Sequence, residues 1–146
     1  MSVHLALYKG KGSIFSSAVR GMKDSKYSHV ELLIAGKCYS SMLREGVRGK
    51  AIALPPEEWD LVRLPWADPD SILAWFAEHD GEQYGISDLI LCQFFGFRRD
   101  GRGAFCSEAC AAALGLPNPT SYSPQTLLDA CLFINRNAVL YATSRS

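Results

Sequence analysis

The segment Phe105-Cys106-Ser107-Glu108-Ala109-Cys110, running on into Ala111-Ala112-Ala113-Leu114, constrains this chain more than any other. Alanine and leucine are strong helix formers, and no glycine or proline interrupts them, so a helix is expected to begin here. Gly101-Arg102-Gly103 just before it reads as a flexible, solvent-facing approach. Cys106 is then expected at, or within one residue of, the helix N-terminus. Glu108 would lie in the first turn, where a carboxylate suits the unpaired N–H groups. A cysteine so placed has a physical route to reactivity, because exposed amides and the helix dipole favour thiolate over thiol. The same residue would serve equally well as a small apolar group packing a helix start. A nucleophile differs from a packing residue in needing a base, and the rest of the chain must supply it.

Upstream of this helix, strand signals dominate. Residues 3–8 are a short apolar run closed by Lys9-Gly10-Lys11-Gly12, a turn rather than a phosphate loop because the GxxxxGK[ST] spacing is missing. Ile14, Phe15, Ala18, Val19 and Met22 recur at helical spacing behind Ser13. Tyr27-Ser28-His29-Val30-Glu31-Leu32-Leu33-Ile34 favours a strand, and Ala35-Gly36-Lys37 turns it into Cys38-Tyr39-Ser40-Ser41 as an antiparallel hairpin. Parts of residues 46–54 give a further strand before Pro55-Pro56, and residues 59–64 another, stopped by Pro65. The rhythm changes at Asp68-Pro69: Ile72, Leu73, Trp75, Phe76 and His79 fit an amphipathic helix ended by Gly81. A second helix is expected over 86–95 and a loop over 96–103. The Cys106 helix should stop at Gly115. Ser123-Pro124 reads as cap and first-turn proline of another helix, and 138–142 as a terminal strand. Strands gathered ahead of helices predict an α+β fold rather than alternating βαβ units, in one domain spanning residues 1–146.

Composition narrows the classes of function. Fifteen basic and fifteen acidic residues cancel, so nothing in the charge balance argues for nucleic acid or an anionic membrane. Five cysteines, at 38, 92, 106, 110 and 131, form no paired framework and no CxxC, and with three histidines they match no zinc spacing. Reduced cysteines, no metal and no cofactor are the expectation. The opening Met1-Ser2-Val3-His4-Leu5 lacks the basic and apolar regions of a signal peptide. No apolar run approaches the roughly 20 residues of a membrane span. Synthesis in the cytoplasm is therefore expected, with delivery elsewhere by a separate system left open.

Ser28-His29-Val30-Glu31 supplies the base that Cys106 needs. His29 falls at a strand start, where its imidazole projects from a firm scaffold, and it alone among the histidines joins a polar approach to a sustained strand. Imidazole can take a thiol proton and return it to a leaving group near neutral pH. An early SHVEL strand, a YG segment after an amphipathic helix, and a later FCSEA helix together resemble the permuted NlpC/P60-like, papain-like cysteine hydrolases. In that group the histidine-bearing hairpin precedes the nucleophile helix. The likeness spans about residues 5–133, its discriminating signal being the two short motifs. It implies a small antiparallel sheet packed against the cysteine helix, Cys106 as nucleophile and His29 as general base.

For the residue that orients the histidine, the resemblance points to the strand after the base, where Ser40-Ser41 stands. On an extended strand, Ser40 shares a face with Cys38 and Ser41 with Tyr39, so a one-residue shift in register exchanges them. Glu31 competes, lying on the same strand face as His29. The expected reaction is hydrolysis of an amide or peptide bond through an acyl-enzyme, on a small peptide or peptidoglycan-like fragment. Lipid or ester acyl hydrolysis or transfer, and an inactive papain-like binding module, are the alternatives. Cys110 is expected as a core contact one turn beyond Cys106, and Cys38, Cys92 and Cys131 as structural. Arg98, Arg99 and Arg102, clustered ahead of Cys106, are candidates for drawing an acidic substrate towards the cleft.

Overall fold

The computed structural model describes residues 1–10, 26–42, 45–82 and 104–144, with the backbone alone at 104–105 and 139–144. The helices expected at 13–22 and 86–95, the loop at 96–103, and Cys92, Arg98, Arg99 and Arg102 lie outside them. Five strands, β1 (Val3–Tyr8), β2 (His29–Ile34), β3 (Lys37–Met42), β4 (Gly46–Lys50) and β5 (Trp59–Arg63), form one sheet in the order β4-β3-β2-β1-β5. Every pairing is antiparallel. Helices α1 (Pro69–Glu78), α2 (Ala104–Ala113) and α3 (Pro124–Ser144) follow, with a 3-10 turn at Pro119–Ser121. The α+β class expected from the sequence is what the described residues form.

Alternation along the strands decides the two faces of the sheet. Leu5, Leu7, Val30 and Leu32 join Ile72 and Phe76 of α1, Cys110 and Ala111 of α2, and Leu127 and Cys131 of α3 in the main core. Burying each of the larger side chains is worth roughly 1.5–3 kcal/mol, so this cluster is the chief force pressing the helices onto the sheet. Ala6, Tyr8 and Trp59 form a smaller cluster, joined by Leu54. The β2–β3 hairpin turns at Ala35 and Gly36, both with positive φ, as the Ala-Gly-Lys turn predicts.

Capping matches the sequence signals at both readable helix starts. The Asp68 side chain accepts from the Asp70 N–H, with Pro69 opening α1. At α3 the Thr126 N–H donates to Ser123 Oγ and the Ser123 N–H to Thr126 Oγ1, a reciprocal box ahead of Pro124. After α1 the chain returns along the outer edge of β4: the Val47 N–H donates to the Glu82 carbonyl, and the Gly81 N–H to that of Val47. Gly46 makes this approach possible. Its φ is +69°, and a Cβ there would lie 2.6 Å from the Glu82 carbonyl oxygen. Gly46→Ala is expected to cost about 2 kcal/mol or more, left-handed strain plus the clash. A urea titration should show a lower midpoint at unchanged slope, and an unshifted midpoint would contradict this reading of the joint.

One expected element is absent. Residues 138–142, read as a terminal strand, belong to α3, which runs unbroken to Ser144. No glycine or proline stands between Gln125 and Ser144 to stop the helix. Asn135 also fastens its middle to the sheet, accepting from Trp66 Nε1 at 2.6 Å and donating to the Arg63 carbonyl at 2.9 Å. A run such as Ala-Val-Leu-Tyr-Ala carries too short a pattern to distinguish strand from helix.

Candidate active site

His29 is the first residue of β2, and the approach to it is pinned from both sides. The Ser28 N–H donates to the Tyr8 carbonyl. Tyr27 Oη and Lys9 Nζ both donate to the Asp60 carboxylate, which these bonds, that from Lys9 foremost, pull down to about 2. Across the sheet His29 pairs with Tyr8, and Tyr8 with Trp59. Trp59 stands edge-on to the imidazole, centroids 6.3 Å apart at 80°, so one flank of the ring is aromatic.

Two residues on, and therefore on the same face of β2, Glu31 is completely buried. His29 Nε2 lies 2.7 Å from Glu31 Oε1. Arg48, on β4, donates from Nη1 to Oε2 at 2.7 Å and from Nη2 to Oε1 at 2.6 Å. Burial alone would push the Glu31 carboxyl up. The hydrogen bonds from Arg48 and then His29 overcome it and hold the group below the ordinary carboxylate range. Glu31 is thus an ionised acceptor, and Nε2 of His29 is the donor.

The Cys106 side chain lies close enough to His29 to act on the ring by both charge and hydrogen bonding. With Nε2 given to Glu31, Nδ1 is the ring nitrogen left for the sulfur. Burial is the largest single influence on the imidazole and lowers its pKa. Cys106, through charge and hydrogen bond, and Glu31 outweigh it together and raise the value from 6.5 to about 9. The ring is accordingly a cation across the neutral range, set between a sulfur and a carboxylate.

Cys106 itself is buried in the first turn of α2, a helix that packs across β2 and β3. The helix starts at Ala104, two residues before Cys106 rather than at most one. Glu108 consequently falls just past the first turn, which holds no acidic residue. Alanine at 104 extends the helix backwards at little cost. Ser107, fully buried, anchors the turn by donating from Oγ to the Tyr122 carbonyl at 2.6 Å.

Of the three residues weighed as partners for the ring, Glu31 is the one that reaches it. Ser40 donates instead to the Val30 carbonyl at 2.7 Å, and the buried Ser41 hydroxyl has no hydrogen-bond partner. Cys110, one turn beyond Cys106, is fully buried beside the Val30 and Tyr39 carbonyls and Ser40 Oγ. Burial, with the Cys106 charge next, pushes its thiol well up. Burial likewise lifts Cys38 to about 11 and Cys131 to about 12. Sequence reasoning passed over Arg48. The signal that finds it is the row Glu31, Ser40, Arg48 across β2, β3 and β4, which appears only once strand order and register are known.

Comparison of the chain with family models, curated proteins and solved structures returns no match. Among the described residues, no helix is long and apolar enough to cross a membrane.

Proposed function

We propose that this protein is a cysteine-dependent hydrolase of an amide or peptide bond, of the permuted NlpC/P60-like, papain-like kind that its motifs resemble. The observation that carries the reading is one imidazole hydrogen-bonded to a cysteine in the first turn of a helix on one side and to a buried, ionised carboxylate on the other. A packing cysteine has no use for that arrangement.

The Cys106 thiolate attacks the scissile carbonyl, forming a C–S bond and a tetrahedral oxyanion. In the proposed step the oxyanion is stabilised by backbone N–H groups at the start of α2, since the first N–H groups of a helix lie outside its own hydrogen-bond ladder. His29 gives its proton to the departing amine as the C–N bond breaks, leaving a thioester. The neutral ring then takes a proton from water, whose oxygen attacks the thioester and restores the acid and the thiolate–imidazolium pair. Glu31 fixes the ring so that Nδ1 is the nitrogen exchanging protons. The substrate class most consistent with the resemblance is a small peptide or a peptidoglycan-like fragment.

A substoichiometric electrophile, iodoacetamide at pH 7, followed by peptide mapping, tests the site before any substrate is known. Cys106 should label first and His29→Ala should abolish that preference, whereas slow and equal labelling of Cys38, Cys106, Cys110 and Cys131 would mean a passive fold. Incubation with muropeptides, and in parallel with acyl esters and lipid vesicles, then separates amide cleavage from acyl transfer by the mass of the products. Selective labelling with no turnover of any of them would point to a binding module.

A further inference from the structure

Among the described residues, Arg48 is a charged group in contact with the site that the proposed reaction leaves without a task. Its side chain is buried, and both terminal nitrogens are spent on Glu31 in a two-pronged contact. A second carboxylate is within reach, yet Arg48 Nε keeps 3.5 Å from Glu45 Oε2 and makes no hydrogen bond. The guanidinium is aligned to the buried acid rather than the exposed one. Glu31 Oε1 receives both His29 Nε2–H and Arg48 Nη2–H, so the two donors share a single acceptor oxygen.

That sharing poses a chemical choice. A carboxylate buried without compensation takes up a proton, and the nearest one is on His29 Nε2. A neutral acid beside a neutral imidazole would no longer hold the Cys106 thiolate. A buried ion pair is also a poor way merely to fasten strands, since well-packed apolar side chains do so at least as well. Resting on the hydrolase reading above, we propose that Arg48 is a positioning residue: by clamping the Glu31 carboxylate it keeps the shared proton on His29 and the ring in register with Cys106. Among the described residues, the titratable groups around the pair, besides Arg48 and Glu31, are His29 on β2, Cys38 on β3, Glu45 ahead of β4, and Cys106 and Cys110 on α2. The clamp is the one fixed positive charge among them.

The test needs no substrate. The imidazole of His29 is followed by NMR in protein labelled at histidine, alongside the rate at which iodoacetamide alkylates Cys106 at pH 7. In Arg48→Met, His29 should lose its proton at lower pH than in the parent protein. Alkylation of Cys106 should slow roughly ten- to hundredfold, the scale of a lost charge-assisted hydrogen bond. Arg48→Lys should fall between the two, keeping the charge but not the fork. Because Arg48→Met strands a buried carboxylate at a cost to folding, Glu31→Gln and the double variant Glu31→Gln/Arg48→Met are compared as well. If Arg48 acts through Glu31, the double variant titrates His29 and reacts at Cys106 as Glu31→Gln alone does. The proposal is overturned if folded Arg48→Met changes only the melting temperature, or if the double variant reacts much more slowly at Cys106 than Glu31→Gln alone. Loss of selective Cys106 alkylation in the parent protein would instead remove the hydrolase reading beneath it.

Discussion

Replacing Cys106 by alanine is expected to abolish turnover, by a thousandfold or more, with the fold intact. The residue is small and sits in the first helical turn, where alanine is at least as well suited as cysteine. The loss is therefore of chemistry, and removing a nucleophile that works as a unit with its base costs about as much as removing the whole unit. His29→Ala should come close to the same level. On the proposed mechanism, the pH profile of the parent protein should carry the signature of the pair. The imidazolium survives up to about 9, so kcat/KM should hold across the neutral range and fall on an alkaline limb near that value. Measuring kcat/KM from pH 5 to 10 for the parent and both variants, with circular dichroism beside it, checks every part. Retained turnover in folded Cys106→Ala would end the mechanism.

Glu31→Ala should produce the largest loss of stability of any single change at the site. It leaves the Arg48 guanidinium buried with no carboxylate on its fork, and breaking a buried pair from one side costs about 3–5 kcal/mol. For a chain of this size that lowers the melting temperature by roughly 10 °C or more. Glu31→Gln keeps an acceptor for both neighbours and should cost distinctly less. The interaction also makes stability depend on pH in two ways. Glu31 is held below its ordinary range, so its contribution is present above the unfolded carboxylate value and disappears as pH falls through the folded one. His29 is raised, so its contribution is complete below 6.5 and is lost as pH climbs towards about 9. Urea unfolding at pH 3, 6 and 10 should show the parent losing stability at both extremes, and Glu31→Ala should flatten the profile. A parent profile as flat as the variant's would refute the coupling.

Local patterns carried most of what could be read without coordinates. The His29 strand, its hairpin, the Trp59 strand and the Asp68-capped helix all depend on neighbours close in sequence, and each stands within a residue or two of its expected limits. The geometry that joins Cys106 to His29 also lay within reach, since helix start and strand start each carry their own signals. Which residue meets the far side of the imidazole did not, because Glu31, Ser40 and Ser41 differ only by register across a hairpin. That difference is settled by the pairing of Leu32 with Tyr39, not by any local preference. Arg48 was further out of reach: a basic residue on a short, glycine-flanked strand looks solvated until three strands are laid side by side. The end of α3 failed for the opposite reason, a local pattern taken as decisive when the helix was held by Trp66 and the Arg63 carbonyl from elsewhere in the fold.

The contrast between Cys106 and the buried thiols at 38, 110 and 131 has a consequence at the bench. Among the described cysteines, burial holds those three in the protonated form, so an oxidant is expected to spend itself first on Cys106, the one of the four set beside an imidazole. A purified sample can then lose its competence while its spectrum, its elution volume and its absorbance stay the same. On the proposed mechanism, the concentration that belongs in a rate equation is the amount of reduced Cys106 found by active-site titration, and not the amount of protein in the tube.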